Sequence, residues 1–386
     1  MAAAVDREDI VEFGIFVQGH FPPSKQGGPG IDHADAEHAM LLDEVAIVRA
    51  ADRAGFKYVW ATEHHFLEEY SHLSANEVFL AYCAGVTERI HLGSGIFNVT
   101  PPVNHPARVA ERVAMLDHLS GGRFEFGTGR GSSTTEQRGF GIAEPAETRE
   151  WYDETIGEFV RMWAPGEYSH DGPKWSMPTR TVLPKPWSKP HPPMWVAAGS
   201  PSTYERAAQM GLGVLGFNVG SADELRPHVQ AYKAAIKDAD PVGAFVNDNV
   251  MITGVMVCAE TNDEARELAQ RSGVGYLQSL VFRYLDTFPR PEGIPEWPEL
   301  IPEPTAEDFE WRIDAGLMVC GDPDACAAQI ERKLDIGFDQ FCFSYPIGLT
   351  AEESIRSIEL FGREVLPRFD TEPLHRSTRN RLAVLG

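Results

Sequence analysis

The chain has 386 residues, 43% of them hydrophobic and 24% charged, the makeup of an ordinary globular protein long enough for one large barrel or two modest domains. Its 57 acidic side chains outnumber its 34 basic ones, for a formal charge of −23. The long-range field therefore repels a polyphosphate backbone or an anionic membrane, and neither is an expected partner.

Residues 1–9 are acidic and lack a basic stretch followed by a long apolar one, and no run of about 18 apolar residues occurs anywhere. Five cysteines, Cys83, Cys258, Cys320, Cys326 and Cys342, form no CxxC pair and fit reduced thiols. The expectation is a cytoplasmic, unanchored protein.

Along the chain, short β-branched or aromatic runs predict strands at residues 11–17, 57–62, 90–97, 123–128, 193–199, 213–218, 250–258 and 338–344. Between them, apolar residues recur three and four apart at 39–55, 105–120, 149–163, 222–238 and 351–363, the helical period. Eight strand-then-helix units favour a (β/α)8 TIM barrel over an open doubly wound sheet, in a single domain spanning 1–386. Three connections, 18–38, 164–192 and 286–312, are too long for ordinary βα turns and are expected as insertions at the C-terminal mouth, serving as walls or lids. Trp163, Trp175, Trp187, Trp195, Trp297 and Trp311 lie in or beside the last two, which predicts ordered loops that bury these rings.

The turn after the second predicted strand reads Thr62-Glu63-His64-His65-Phe66. It sets two imidazoles and a carboxylate at the barrel mouth, a set suited either to a metal or to proton exchange near neutral pH. The HExxH zinc spacing is absent and no second cluster joins it, so no metal is assigned. Farther on, a helix ends at Gly121-Gly122, a strand follows, and Gly127-Thr128-Gly129-Arg130-Gly131 makes a glycine-rich turn. Its glycines let backbone N–H groups approach an anion and Arg130 can grip phosphate with two bonds; the alternative is a tight βα turn with a surface arginine. In Val196-Ala197-Ala198-Gly199-Ser200-Pro201-Ser202-Thr203 the fifth strand closes into a helix with Ser200 as N-cap and Pro201 first, a start suited to ordinary capping or to phosphate. No convincing G-x-G-x-x-G follows a strand with a later acidic partner, so no nicotinamide site is expected on this chain.

These segments, in this order, resemble the bacterial luciferase-like flavin-dependent monooxygenases over nearly the whole chain. The match is carried by Phe13-Gly14, Glu63-His64-His65-Phe66, His105-Pro106-Ala107-Arg108, Met115-Leu116-Asp117, Gly122-Arg123-Phe124, Gly127 to Gly131 and Ala207-Ala208-Gln209-Met210-Gly211-Leu212. The resemblance implies a TIM barrel that uses reduced FMN and O2, through a flavin C4a-peroxide, to oxygenate a small apolar aldehyde, ketone or terpene-like substrate. It implies His64 as the catalytic histidine, supported by His65 and Glu63, and Gly129 and Arg130 as a phosphate-binding turn. It further implies Gly199, Ser200 and Thr203 as a second phosphate segment, Arg149 as another cation, and a cis peptide at Gly95-Ile96 beneath the flavin. Catalytic luciferase subunits carry a reactive cysteine where this chain has Gly129, so light emission is not implied. A separate NAD(P)H:flavin reductase is expected to supply reduced FMN, and the resemblance implies a homodimer. Three rival readings are an F420-dependent hydride-transfer oxidoreductase of the same superfamily, a noncatalytic flavin-binding subunit, and a metal-dependent barrel hydrolase or isomerase. The EHHF triplet and Gly-Arg-Gly turn speak against the first, His64 and Arg130 against the second.

Overall fold

The computed structural model describes residues 10–26, 30, 32–217, 221–271, 273–287, 290 and 292–385. The expectation for residues 1–9, and the parts of those for 18–38, 213–218 and 286–312 that fall elsewhere, lie outside these residues. In chain order the first half runs β1 (Glu12–Val17), α1 (His33–Ala54), β2 (Tyr58–Ala61), α2 (Asn76–Val86), β3 (His91–Ser94), β4 (Phe97–Asn98), α3 (Pro106–Leu119), β5 (Phe124–Gly129), α4 (Thr134–Gly139), α5 (Glu147–Ile156) and α6 (Glu158–Trp163). The second half runs β6 (Tyr168–Asp171), β7 (Ser176–Arg180), β8 (Met194–Ala198), α7 (Pro201–Gln209), β9 (Gly213–Gly216), α8 (Ala222–Ala235), β10 (Val250–Cys258), α9 (Asn262–Gln270), α10 (Val274–Tyr284), α11 (Ala306–Asp314), β11 (Met318–Gly321), α12 (Pro323–Glu331), β12 (Gln340–Ser344), α13 (Ala351–Glu364) and α14 (Arg376–Leu382).

Eight parallel strands, β1, β2, β3, β5, β8, β9, β10 and β12, pair in that order, and β12 returns to β1 to close the barrel. Both strand faces are buried, which is why these segments read as nearly continuous apolar runs. Phe13, Ile15 and Val17 of β1 point outward into the main core, packed with Val45, Ile47 and Val48 of α1. Phe16, Trp60, Trp195, Leu215 and Met251 fill the interior, where the indoles of Trp60 and Trp195 meet edge to face at 5.1 Å. Two glycines make room for them: a Cβ on Gly93 would stand 2.1 Å from the Trp60 ring, and one on Gly213 2.4 Å from that of Trp195.

All eight predicted barrel strands are present, with ends moved by a few residues. β11 was not anticipated. It pairs with the far end of β10, outside the barrel, and a four-residue apolar run carries too little period to separate strand from helix. The segment 164–192 contains the antiparallel hairpin of β6 and β7. The 18–38 insertion ends early, because Asp32 caps α1, which begins at His33. The 286–312 insertion is likewise shorter than expected, since Thr305 and Asp308 form a capping box that starts α11. The 149–163 helix divides at Gly157 into α5 and α6.

Trp163, Trp175 and Trp195 are buried and Trp297 is partly buried, but Trp187 and Trp311 are 63% and 56% exposed. Trp187 lies against His118 at the surface, and Trp311 faces away from the side of α11 that buries Phe309 and Ile313. All five cysteines are free and buried. Among the described residues no helix is long and apolar enough to cross a membrane.

The N-terminal end of the barrel is sealed by a buried polar network and by α14. Lys57 pairs with Glu12 at 2.8 Å and with Asp370 at 2.9 Å. Glu125 meets His91 Nδ1 and accepts from Trp195 Nε1, each at 2.7 Å, and it accepts from the Ser377 hydroxyl of α14. Burial pushes the Glu125 carboxyl up to about 8 and the His91 imidazole down to about 3, and both shifts favour the neutral forms.

This sets a pH dependence. The folded protein holds a proton on Glu125 that the unfolded chain releases near pH 4.5, so the stability tied to that proton falls as pH rises toward 8. The neutral His91 acts oppositely, but only below its ordinary 6.5. Stability is therefore expected to fall between pH 6.5 and 8. In urea denaturation at the two pH values, Glu125→Gln should flatten that decline, and an unchanged slope would remove Glu125 as its source.

Candidate active site

At the opposite, C-terminal end of the strands a cavity of about 340 Å³ opens. Every residue named from the resemblance as a catalytic or cofactor-binding candidate lines it: Glu63, His64 and His65 after β2, Gly95 and Ile96 after β3, Gly129 and Arg130 from β5, Arg149 on α5, and Gly199, Ser200 and Thr203 at the start of α7. Segments far apart in sequence meet here because each follows a parallel strand whose C-terminal end faces the same side. The Gly95–Ile96 peptide is cis, as expected. A Cβ on Gly129 would sit 2.7 Å from Ile96 Cγ1, so a larger residue at position 129 would have to displace Ile96.

One part of the lining is cationic. Arg130 donates to Thr148 Oγ1 at 2.9 Å. Burial and the neighbouring Arg149 charge both push its guanidinium below its ordinary value, so two cations stand close together. Neither forms an ion pair within 4 Å among the described residues; Arg206, also on the lining, is held by Asp153 at 2.5 Å. Ser200 occupies the N-cap of α7 without making the capping bond. Its hydroxyl instead meets that of Thr203 at 2.9 Å; Pro201 has no N–H and those of Thr203 and Tyr204 bond to the Ser200 carbonyl, so the helix start offers the Ser202 N–H and a dipole that favours negative charge. The floor is apolar, formed by Phe16, Ile96, Val196, Leu215 and Met251.

The polar system at the β2 end was only half anticipated. His64 Nδ1 lies 3.2 Å from Oε1 of Glu136, and the same oxygen accepts the His65 backbone N–H at 2.7 Å. His65 is engaged separately, its Nε2 3.1 Å from Glu63 Oε1. Glu63 also accepts from the Asn98 backbone N–H and the Asn104 amide, each at 3.0 Å. The Tyr70 ring stands edge-on to His64 at 5.2 Å. His65, with Phe66 and Phe140, forms an aromatic group beside the opening, and Phe66 holds a left-handed backbone at φ 65°.

Sequence reasoning missed Glu136, Tyr70, Asn98, Asn104, Thr148 and Arg206. Ser133 and Glu136 stand at the spacing of a capping box, a sign of a helix start. Ser133 does accept the Glu136 N–H, but the carboxylate that would close the box turns to residues 64 and 65. The segment after α10 braces this helix: the Asp286 carboxylate accepts the Thr134 N–H at 2.8 Å and also binds its hydroxyl, and Thr287 donates to the Ser132 carbonyl at 2.8 Å. Among the described residues no group of three or more histidines, cysteines or carboxylates has the geometry to hold a metal.

The family model described as luciferase-like monooxygenase matches residues 11–340. Limonene 1,2-monooxygenase of Rhodococcus erythropolis is 29% identical over 87% of this chain and 83% of its own. The oxygenase component of the flavin-dependent trigonelline monooxygenase of Acinetobacter baylyi is 26% identical over 87% of this chain and 92% of its own. The crystal structure of monooxygenase RslO1 from Streptomyces bottropensis has a TM-score of 0.74 at 25% identity, covering 93% of this chain and 100% of that one. The coenzyme F420-dependent tetrahydromethanopterin reductase of Methanopyrus kandleri shares the fold, with a TM-score of 0.64 at 22% identity over 94% of this chain and 100% of that one.

Proposed function

The chain belongs to the luciferase-like monooxygenase family, and from that premise we propose that it is the oxygenase component of a two-component enzyme that uses reduced FMN and O2 to oxygenate a small apolar organic substrate. The observation that carries this reading is that two guanidinium groups with no carboxylate partner among the described residues and a carboxylate-held histidine line one cavity with an apolar floor.

The residues present fit the cofactor. Arg130, Arg149, Ser200, Thr203 and the uncapped start of α7 take a phosphate dianion. Phe16, Ile96, Val196, Leu215 and Met251 offer a flat ring system an apolar bed and keep water from it. Reduced FMN, when bound, supplies the electrons that activate O2, so that one oxygen atom enters the substrate and the other leaves as water. His64 acts as acid and base at its cavity-facing nitrogen, while His65 and Glu63 hold the loop that carries it. A separate NAD(P)H:flavin reductase delivers the reduced cofactor, in keeping with the relative named as an oxygenase component. A homodimer is the assembly we favour; Val78, Tyr82 and Val86 of α2 and Met115 and Leu119 of α3 are exposed apolar side chains that a second copy could cover.

The second reading, hydride transfer with F420, draws on the fold shared with an F420-dependent reductase. Anaerobic titration with each reduced cofactor separates the two. Reduced FMN is expected to bind at least roughly tenfold more tightly than reduced F420, and the reverse order would favour hydride transfer.

A further inference from the structure

We infer that Glu136 is the positioning residue for His64: its carboxylate holds Nδ1–H and so leaves the Nε2 lone pair for the cavity. This rests on the reading of His64 as the proton-transfer group. An ionised carboxylate only accepts, so in this pairing the ring nitrogen 3.2 Å from Glu136 Oε1 carries the hydrogen. In a neutral imidazole the other nitrogen is then the base. Among the described residues Nε2 of His64 has no protein hydrogen bond, and the ring lines the cavity. His65 shows the opposite arrangement, with Nε2 bound to Glu63, which takes that nitrogen out of use.

Several features suit Glu136 to this task. It is buried at 5% exposure, and its Oε1 also binds the His65 backbone N–H, so one oxygen fixes both the ring and the main chain that bears it. The helix that carries it has only six residues and is pinned at its start by Asp286 and Thr287 from the other side of the cavity mouth. An orienting carboxylate behind a histidine sets the tautomer and the ring plane together.

The test needs no cofactor. In protein labelled with ¹⁵N-histidine at pH 8, two-bond ¹H–¹⁵N correlations report which nitrogen of His64 carries hydrogen, with the signal assigned by its loss in His64→Asn. Wild type is expected in the Nδ1–H form. Glu136→Gln, whose amide oxygen can still accept both bonds, should keep that form, whereas Glu136→Ala should shift His64 toward Nε2–H. A wild-type Nε2–H tautomer, or the same tautomer in Glu136→Ala as in wild type, would overturn the assignment. With reduced FMN and O2, the ratio of oxygenated product to hydrogen peroxide should fall roughly tenfold or more in Glu136→Ala and recover in Glu136→Gln. Equal losses in the two variants would reduce Glu136 to a brace for the loop. The expected tautomers in a wild-type protein that yields no oxygenated product would refute the proposed activity and leave the Glu136–His64 pairing standing.

Discussion

Replacing His64 with alanine is expected to leave reduced FMN bound while slowing substrate oxygenation about 10²- to 10⁴-fold, the range a positioned acid or base contributes. The proposed anion cradle at Arg130, Arg149 and Ser200 is built on β5, α5 and α7, whereas His64 comes from the loop after β2, so removing the imidazole should spare the proposed phosphate contacts. O2 should still be consumed but recovered mainly as hydrogen peroxide, because the proton transfer that favours the substrate is lost. The same substitution at His65 should do less, since that ring is tied to Glu63. Single turnovers with preformed reduced FMN give the ratio of product to peroxide directly, and unchanged coupling and rate in His64→Ala would remove this residue from the mechanism.

The second large effect is expected at Arg130. Its guanidinium is partly withdrawn from water, stands beside Arg149 and has no carboxylate within 4 Å among the described residues. Charge-assisted hydrogen bonds to phosphate at such a site contribute about 1.5–3 kcal/mol, so Arg130→Ala should weaken reduced FMN binding roughly 10- to 150-fold. Riboflavin, which lacks the phosphate, should lose far less. Equal losses for the two ligands would show that Arg130 supports the cavity without contacting the phosphate.

The barrel was legible because its strands are buried on both faces and so read as apolar runs separated by helical periods. Arg130, His64 and Ser200 were legible for a related reason: each directly follows a strand, and in a barrel that position alone puts a side chain at the mouth. Glu136 and Asp286 carried no such mark. Their contacts span 72 and 152 residues, and nothing local announces them. At Glu136 the local signal pointed elsewhere, since Ser133 and Glu136 have the spacing of a closed capping box while the carboxylate is spent on His64 and the His65 N–H. Trp187 and Trp311 show the limit of residue type as a guide to burial. Large rings are usually covered, but α11 turns Phe309 and Ile313 inward and leaves Trp311 at the surface.

The most direct test of the central claim is isotope incorporation from ¹⁸O2. The protein, preloaded anaerobically with reduced FMN and mixed with ¹⁸O2 and a panel of small aldehydes, ketones and terpenes, should yield a product carrying one ¹⁸O atom per flavin oxidised. Absence of labelled product throughout the panel, together with substrate reduction or oxidation driven by F420 under the same conditions without O2, would contradict it.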